Sequence, residues 1–147
     1  MQPTSPPLTL TIPSDPRMLS VARAFVEAAC QIAKLDKPTT HAVVLASGEA
    51  FSNVIRHAHS STPDAHLQIQ CWLSPHSIEI CFHDQGEPFD VASVPEMDPT
   101  ELRIGGRGVY LMRKLMDELK SLPREQGGNT LKMVKRLQPA VAMREVG

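Results

Sequence analysis

A chain of 147 residues, 41% of them hydrophobic, has the size and apolar content of one domain with a core of its own. Its formal net charge of −1 gives no electrostatic basis for binding nucleic acid or an anionic membrane, and no apolar run is long enough to span a bilayer. Three cysteines without Cys-x-x-Cys spacing, and an N-terminus lacking a signal peptide's basic and apolar regions, predict reduced thiols in a cytoplasmic domain rather than a disulfide framework or zinc site.

Residues 1–7 are proline-rich and predicted to be flexible. Leu8-Thr-Leu10-Thr-Ile12 alternates as a strand, and Ser14-Asp-Pro16 then marks a helix start. Met18, Val21, Ala22, Phe25, Val26 and Ala29 continue an apolar face through about Leu35. Lys37-Pro38 restarts a helix that is predicted to run to about His59. On it, Val43, Ser47, Ala50, Phe51, Val54 and Ala58 form an apolar stripe with spacings of three and four. Glu49, Asn53 and His57 form a polar stripe on another face. Taken alone, Glu and Asn four apart on a helix are usually solvated side chains.

Ser60 to Asp64 reads as a turn, and His66–Trp72 with Ser77–His83 as a hairpin joined at Ser74-Pro75-His76. Alternation puts Cys71 on one face with Leu67 and Ile69, and turns Cys81 away from Ile78, Ile80 and Phe82. Both cysteines read as packing rather than redox chemistry. The second strand ends in Asp84-Gln-Gly86, a turn signal by itself. Residues 87–104 carry prolines at 88, 95 and 99 and no sustained periodicity, and a connection of this kind in a compact domain is usually either functional or disordered.

Gly105-Gly106-Arg107-Gly108 then opens an amphipathic helix predicted to end near Lys120. Bare N–H groups at a helix start suit phosphate, although the pattern is neither a Rossmann fingerprint nor a P-loop. Leu131–Lys135 is the last predicted strand, and residues 138–147 read as a flexible tail. The expected architecture over residues 8–137 is α+β: a two-layer sandwich with helices over one face of a mixed, mostly antiparallel sheet.

A helix carrying Glu49 and Asn53, a strand ending at Asp84-x-Gly86, and Gly-x-Gly at a helix start, in this order, resemble the N, G1 and G2 boxes of the GHKL ATPase superfamily. Glu49-Ala-x-x-Asn53-x-Ile-x-His57-Ala, Gly106-x-Gly108-x-x-Leu-Met and Gly128-Asn-Thr130-Leu are most similar to the bacterial anti-sigma factor serine kinases, over about Leu8 to Arg136. The resemblance implies the Bergerat ATP-binding fold, with ATP or ADP and Mg²⁺ as cofactors. It assigns Asn53 to the metal and Glu49 to the attacking hydroxyl. Asp84 is matched to the adenine amine, Gly86 to close approach at the base, and Thr130 to a hydroxyl near adenine. Gly105, Gly106 and Gly108 would face the phosphates, Arg103 or Arg107 would neutralise their charge, and residues 87–104 correspond to the ATP lid. His57 reads as structural.

The implied partners are a sigma factor and a STAS-type anti-anti-sigma protein carrying the acceptor serine, with the kinase as a homodimer. The alternative is a nucleotide-gated binding switch of the same fold, which activates a serine phosphatase or sequesters a regulator with little kinase chemistry.

Overall fold

A computed structural model describes residues 6–58, 65–86, 89–96 and 107–138. Its elements in chain order are β1 (Leu8–Pro13), α1 (Leu19–Ile32), α2 (Lys37–Ala58), β2 (His66–Leu73), β3 (Ser77–Asp84), α3 (Arg107–Leu115), β4 (Glu118–Pro123) and β5 (Asn129–Arg136). Residues 1–5, the turn expected at Ser60–Asp64 and the tail from residue 139 lie outside the described residues.

Local chemistry sets most helix boundaries. The Asp15 carboxylate accepts from the Arg17 N–H at 2.8 Å and starts a short 3-10 turn, Pro16–Met18, that leads into α1. Lys34 takes a left-handed conformation at φ 60°, and the Leu35 N–H turns back to the Cys30 carbonyl at 3.1 Å. Asp36 then accepts from the Thr39 N–H at 2.8 Å and caps α2, with Pro38 in the first turn. The buried stripe of α1 is narrower than its sequence suggests: Ala22, Val26, Ala29 and Cys30 are buried, whereas Val21 is 42% exposed.

The five strands run β1-β2-β3-β5-β4 across one sheet, where a mixed, mostly antiparallel sheet was expected, and all four neighbouring pairs are antiparallel. Ile69, Ile80, Phe82, Leu131 and Met133 from the sheet join Val26, Val43, Ala46, Ala50 and Phe51 from the helices in one buried cluster. Burying each large side chain there contributes about 1.5–3 kcal/mol, which makes this cluster the main support of the fold.

Two expectations are corrected. The helix predicted to reach Lys120 stops at Leu115, and Glu118–Pro123 is an edge strand. Leu115, Met116 and Leu119 keep helical spacing, so the local pattern runs on; distant partners end the helix instead. Lys135 Nζ donates to the Leu115 carbonyl at 2.9 Å, and the Asp117 N–H donates to the Val134 carbonyl at 2.8 Å. The Asp117 carboxylate accepts from the Arg136 N–H at 2.6 Å.

The connection after Gly86 is also less free than its composition implies. Asp90 caps a 3-10 turn over Val91–Ser93, and Val91 is buried in the core. The Val91 N–H donates to Ser121 Oγ at 2.8 Å, while Arg113 donates to the carbonyls of Val91 and Val94 at 3.0 and 2.8 Å.

Between β4 and β5, Gly127 and Gly128 both adopt positive φ, 91° and 100°. A Cβ on Gly127 would meet nothing within 4 Å, but on Gly128 it would collide with the Asp84 backbone carbonyl and lie 3.0 Å from Gln85 Cα. Gly127→Ala should therefore cost only the conformational strain, about 1–2 kcal/mol. Gly128→Ala should cost clearly more, because backbone cannot step aside as a side chain tip can. Urea unfolding of the two variants checks this; equal losses would show that β3 and β5 are not held together at this point.

Candidate functional site

Three pieces of backbone carry the residues that the sequence singles out. The first is the polar stripe of α2, where Asn53 is only 5% exposed and Glu49 is half-buried one turn earlier on the same face. The second is the start of α3. A Cβ added to Gly108 would lie 3.0 Å from Glu49 Oε1, so the glycine lets the helix terminus approach the carboxylate. Any larger residue at 108 would push that carboxylate aside. Arg107 stands exposed beside it, at the first position of α3. Arg103, Gly105 and Gly106 lie outside the described residues.

The third piece is the end of β3. Asp84 is 4% exposed, and its Oδ1 accepts from the Gly86 N–H at 2.7 Å. Burial pushes its carboxyl above the ordinary value of 3.8, against the opposing pull of the Gly86 hydrogen bond and the Arg124 charge. The Arg124 guanidinium also reaches the Asp84 carbonyl at 3.5 Å.

Strand register decides what shares the helix-facing side of the sheet with Asp84. In β3–β5 pairing, Asp84 stands opposite Asn129, and His83 opposite Thr130. Directly opposed residues of antiparallel strands project to the same face, so Asn129 joins Asp84 and the core-facing Phe82 and Leu131 on the helix side. Thr130 points to the other face. Its hydroxyl lies 2.8 Å from His83 Nδ1, and His83 Nε2 lies 2.8 Å from Gln70 Oε1. Gln70 in turn donates to Thr9 Oγ1 at 3.3 Å, which completes a polar row across four strands. Burial, aided by the Arg124 charge, lowers the His83 pKa and favours a neutral ring there.

The structure thus brings Glu49 to Gly108, keeps Asn53 on the same helical face, and groups Asp84 with Gly86. It separates the Thr130 hydroxyl from them. Asn129 was missed by the sequence reading, although the parity of Leu131 and Met133 with Phe82 and Ile80 carries the signal. Asn129 is 4% exposed, and its Oδ1 has no hydrogen-bond partner among the described residues. His57 stacks on Phe89 at 4.0 Å between ring centroids and 12° between planes, a packing contact between α2 and the segment after Gly86.

A cavity of about 780 Å³ lies elsewhere, lined by Lys34, Asp36, Thr39, Pro75, Asp117 and Arg136 at the opposite ends of the strands. Its carboxylates are already engaged with backbone N–H groups of Thr39 and Arg136, so the convergent chemistry remains at Glu49, Asn53 and Asp84. Among the described residues no group of three or more His, Cys, Asp or Glu side chains is placed to hold a metal ion, and no helix is long and apolar enough to cross a membrane. Burial pushes the thiols of Cys71 and Cys81 up to about 12 and that of Cys30 to about 11, which leaves them unreactive.

The sequence pattern of the family described as "Histidine kinase-like ATPase domain" matches residues 12–135. The chain belongs to that family. It is 26% identical to the serine-protein kinase RsbW of Oceanobacillus iheyensis over 121 residues, covering 77% of each chain. To the serine-protein kinase RsbW of Bacillus velezensis it is 25% identical over 138 residues, 88% of this chain and 85% of that one. Among solved structures, the RsbU and RsbW domains of Rv1364c from Mycobacterium tuberculosis align with a TM-score of 0.65 at 15% identity. That match covers 97% of this chain and 35% of the other, so this chain spans about a third of that protein's length. The expected α+β sandwich is thereby borne out, with α1, α2 and α3 against a five-stranded antiparallel sheet.

In this ATPase domain the buried carboxyl of Asp84 should weaken the ligand-free fold. Its folded pKa stands above 3.8, so the folded state holds the proton more tightly, and stability falls as pH rises from about 3.8 through the folded value. Asp84→Asn should accordingly be at least as stable as the native protein at pH 7, with the advantage shrinking toward zero as pH falls toward 3.8. Urea titrations at several pH values measure the difference; a variant less stable at pH 7 would mean that the ionised carboxylate is well compensated.

Proposed function

We propose that the domain is an ATP-dependent protein serine kinase that phosphorylates a STAS-type anti-anti-sigma protein and sequesters a sigma factor. The observation that carries the reading is the contact of Glu49 with Gly108 at the start of α3, one helical turn from Asn53. That close approach supports a reading in which the carboxylate lies beside a phosphate-binding helix terminus and a hard oxygen ligand. The family match and the relatives named serine-protein kinases support it.

In this reading Asp84 accepts a hydrogen from the adenine amine, and Gly86 lets the backbone come close to the base. The Gly108 N–H and the Arg107 charge serve the phosphates, together with Arg103, Gly105 and Gly106 of the preceding stretch. The Asn53 carboxamide oxygen fits Mg²⁺, which takes hard oxygen ligands and completes its shell from phosphate and water. The ion would supply charge neutralisation at the phosphates. Glu49 orients the acceptor serine hydroxyl or removes its proton. Residues 87–104 act as the lid, with their first part pinned by Arg113 and Ser121. The kinase works as a cytoplasmic homodimer.

Glu49→Ala should keep nucleotide affinity while phosphoryl transfer to the cognate STAS protein falls by roughly two to four orders of magnitude. Labelled ATP with the purified partner provides the readout, alongside calorimetry for binding. Undiminished transfer would sink the catalytic role and favour the nucleotide-gated binding switch. In the same assays Asn53→Ala should lose the magnesium dependence of binding; affinity that ignores magnesium in both proteins would remove the metal assignment.

A further inference from the structure

We infer that Asn129, rather than Thr130, completes the base-reading end of the pocket by accepting the second hydrogen of the adenine amino group. The inference rests on the adenine-nucleotide reading above and on three features of this chain. The first is register: Asn129 is the residue directly opposite Asp84, whereas Thr130 is turned to the far face and bonded to His83. The second is an orphaned atom. Asn129 is 4% exposed, and its carboxamide oxygen has no hydrogen-bond partner among the described residues. A buried carbonyl without a donor is costly, and a native fold retains one where a ligand or water supplies the missing hydrogen.

The third feature is the locking of the register itself. Gly128, at φ 100°, presses its backbone on the Asp84 carbonyl, so β5 begins at a fixed point and cannot slip by a residue. The side chain following the glycine must then share the face of Asp84.

Two acceptors set side by side select a particular ligand group. Opposed residues in an antiparallel pair have Cβ atoms about 4.5–5.5 Å apart. An sp² amino group donating both hydrogens at ordinary N–H···O lengths needs acceptors about 5 Å apart. The Asp84 carboxylate, with Oδ1 committed to Gly86, retains Oδ2, and the Asn129 oxygen supplies the other acceptor. A 6-aminopurine satisfies both. A 6-oxopurine sets its carbonyl against two acceptors and is rejected.

Calorimetry with two nucleotides isolates this contact: Mg·ATP, and Mg·purine riboside triphosphate, which lacks the 6-amino group. The native protein should prefer ATP by about 100-fold, the effect of losing two hydrogen bonds. Asn129→Leu should bind ATP about 10-fold more weakly and purine riboside triphosphate unchanged, which narrows the preference by the same factor. Equal weakening toward both nucleotides would reduce Asn129 to a packing residue and overturn the inference, as would unaltered ATP binding. Should leucine disturb β5, as seen by circular dichroism, Asn129→Ala is read in the same way. A native protein that binds neither nucleotide would overturn the adenine reading as a whole; one that binds ATP, with a variant that keeps the full preference, would overturn only the role of Asn129.

Discussion

The pairing of β3 with β5 at Asp84 and Asn129 is the constraint on which the site depends. Gly128 places its backbone against the Asp84 carbonyl, in a space where no side chain fits. That close approach fixes which residues of β5 face the helices, and therefore which polar groups are enclosed with the Asp84 carboxylate. It also brings the turn residue Arg124 to Asp84, where its charge partly offsets the burial of the carboxyl. The site end of the sheet thus holds polar groups whose hydrogen bonding is incomplete, next to a core of Phe82 and Leu131 in which burial supplies the stability.

Helix α2 performs two tasks with two faces. Val43, Ala46, Ala50, Phe51 and Val54 anchor it to the sheet, and this burial holds the helix at a set rotation. Glu49 and Asn53 are carried along by that rotation to the face where α3 begins. The position of α3 is in turn fixed from both ends. Gly108 admits the Glu49 carboxylate at its start, and Lys135 and Asp117 terminate and redirect the chain at its finish. Arg113, in the last turn of α3, ties the first part of the connection after Gly86 to the same framework.

How much was legible in the sequence follows from the range of the forces involved. The two stripes of α2, its Asp36–Pro38 start and the β2–β3 hairpin depend on neighbours within a few residues, and they read directly. The end of α3 and the existence of β4 did not, since Leu115, Met116 and Leu119 are spaced for a helix and the contacts that stop it come from β5. The face on which Thr130 and Asn129 stand is of the same kind. A hydroxyl beside a glycine matches the family pattern, but which side of the sheet it occupies depends on pairing with β3, some 45 residues earlier. The anchoring of Val91 by Ser121 was equally invisible in a proline-rich stretch.

Amide chemical-shift mapping during titration with Mg·ADP tests the location of the site most directly. The largest changes should fall on Gly86 after β3, Asn129 at the start of β5 and Gly108 at the start of α3. Changes centred instead on Lys34, Asp117 and Arg136, around the cavity at the opposite pole, would contradict it.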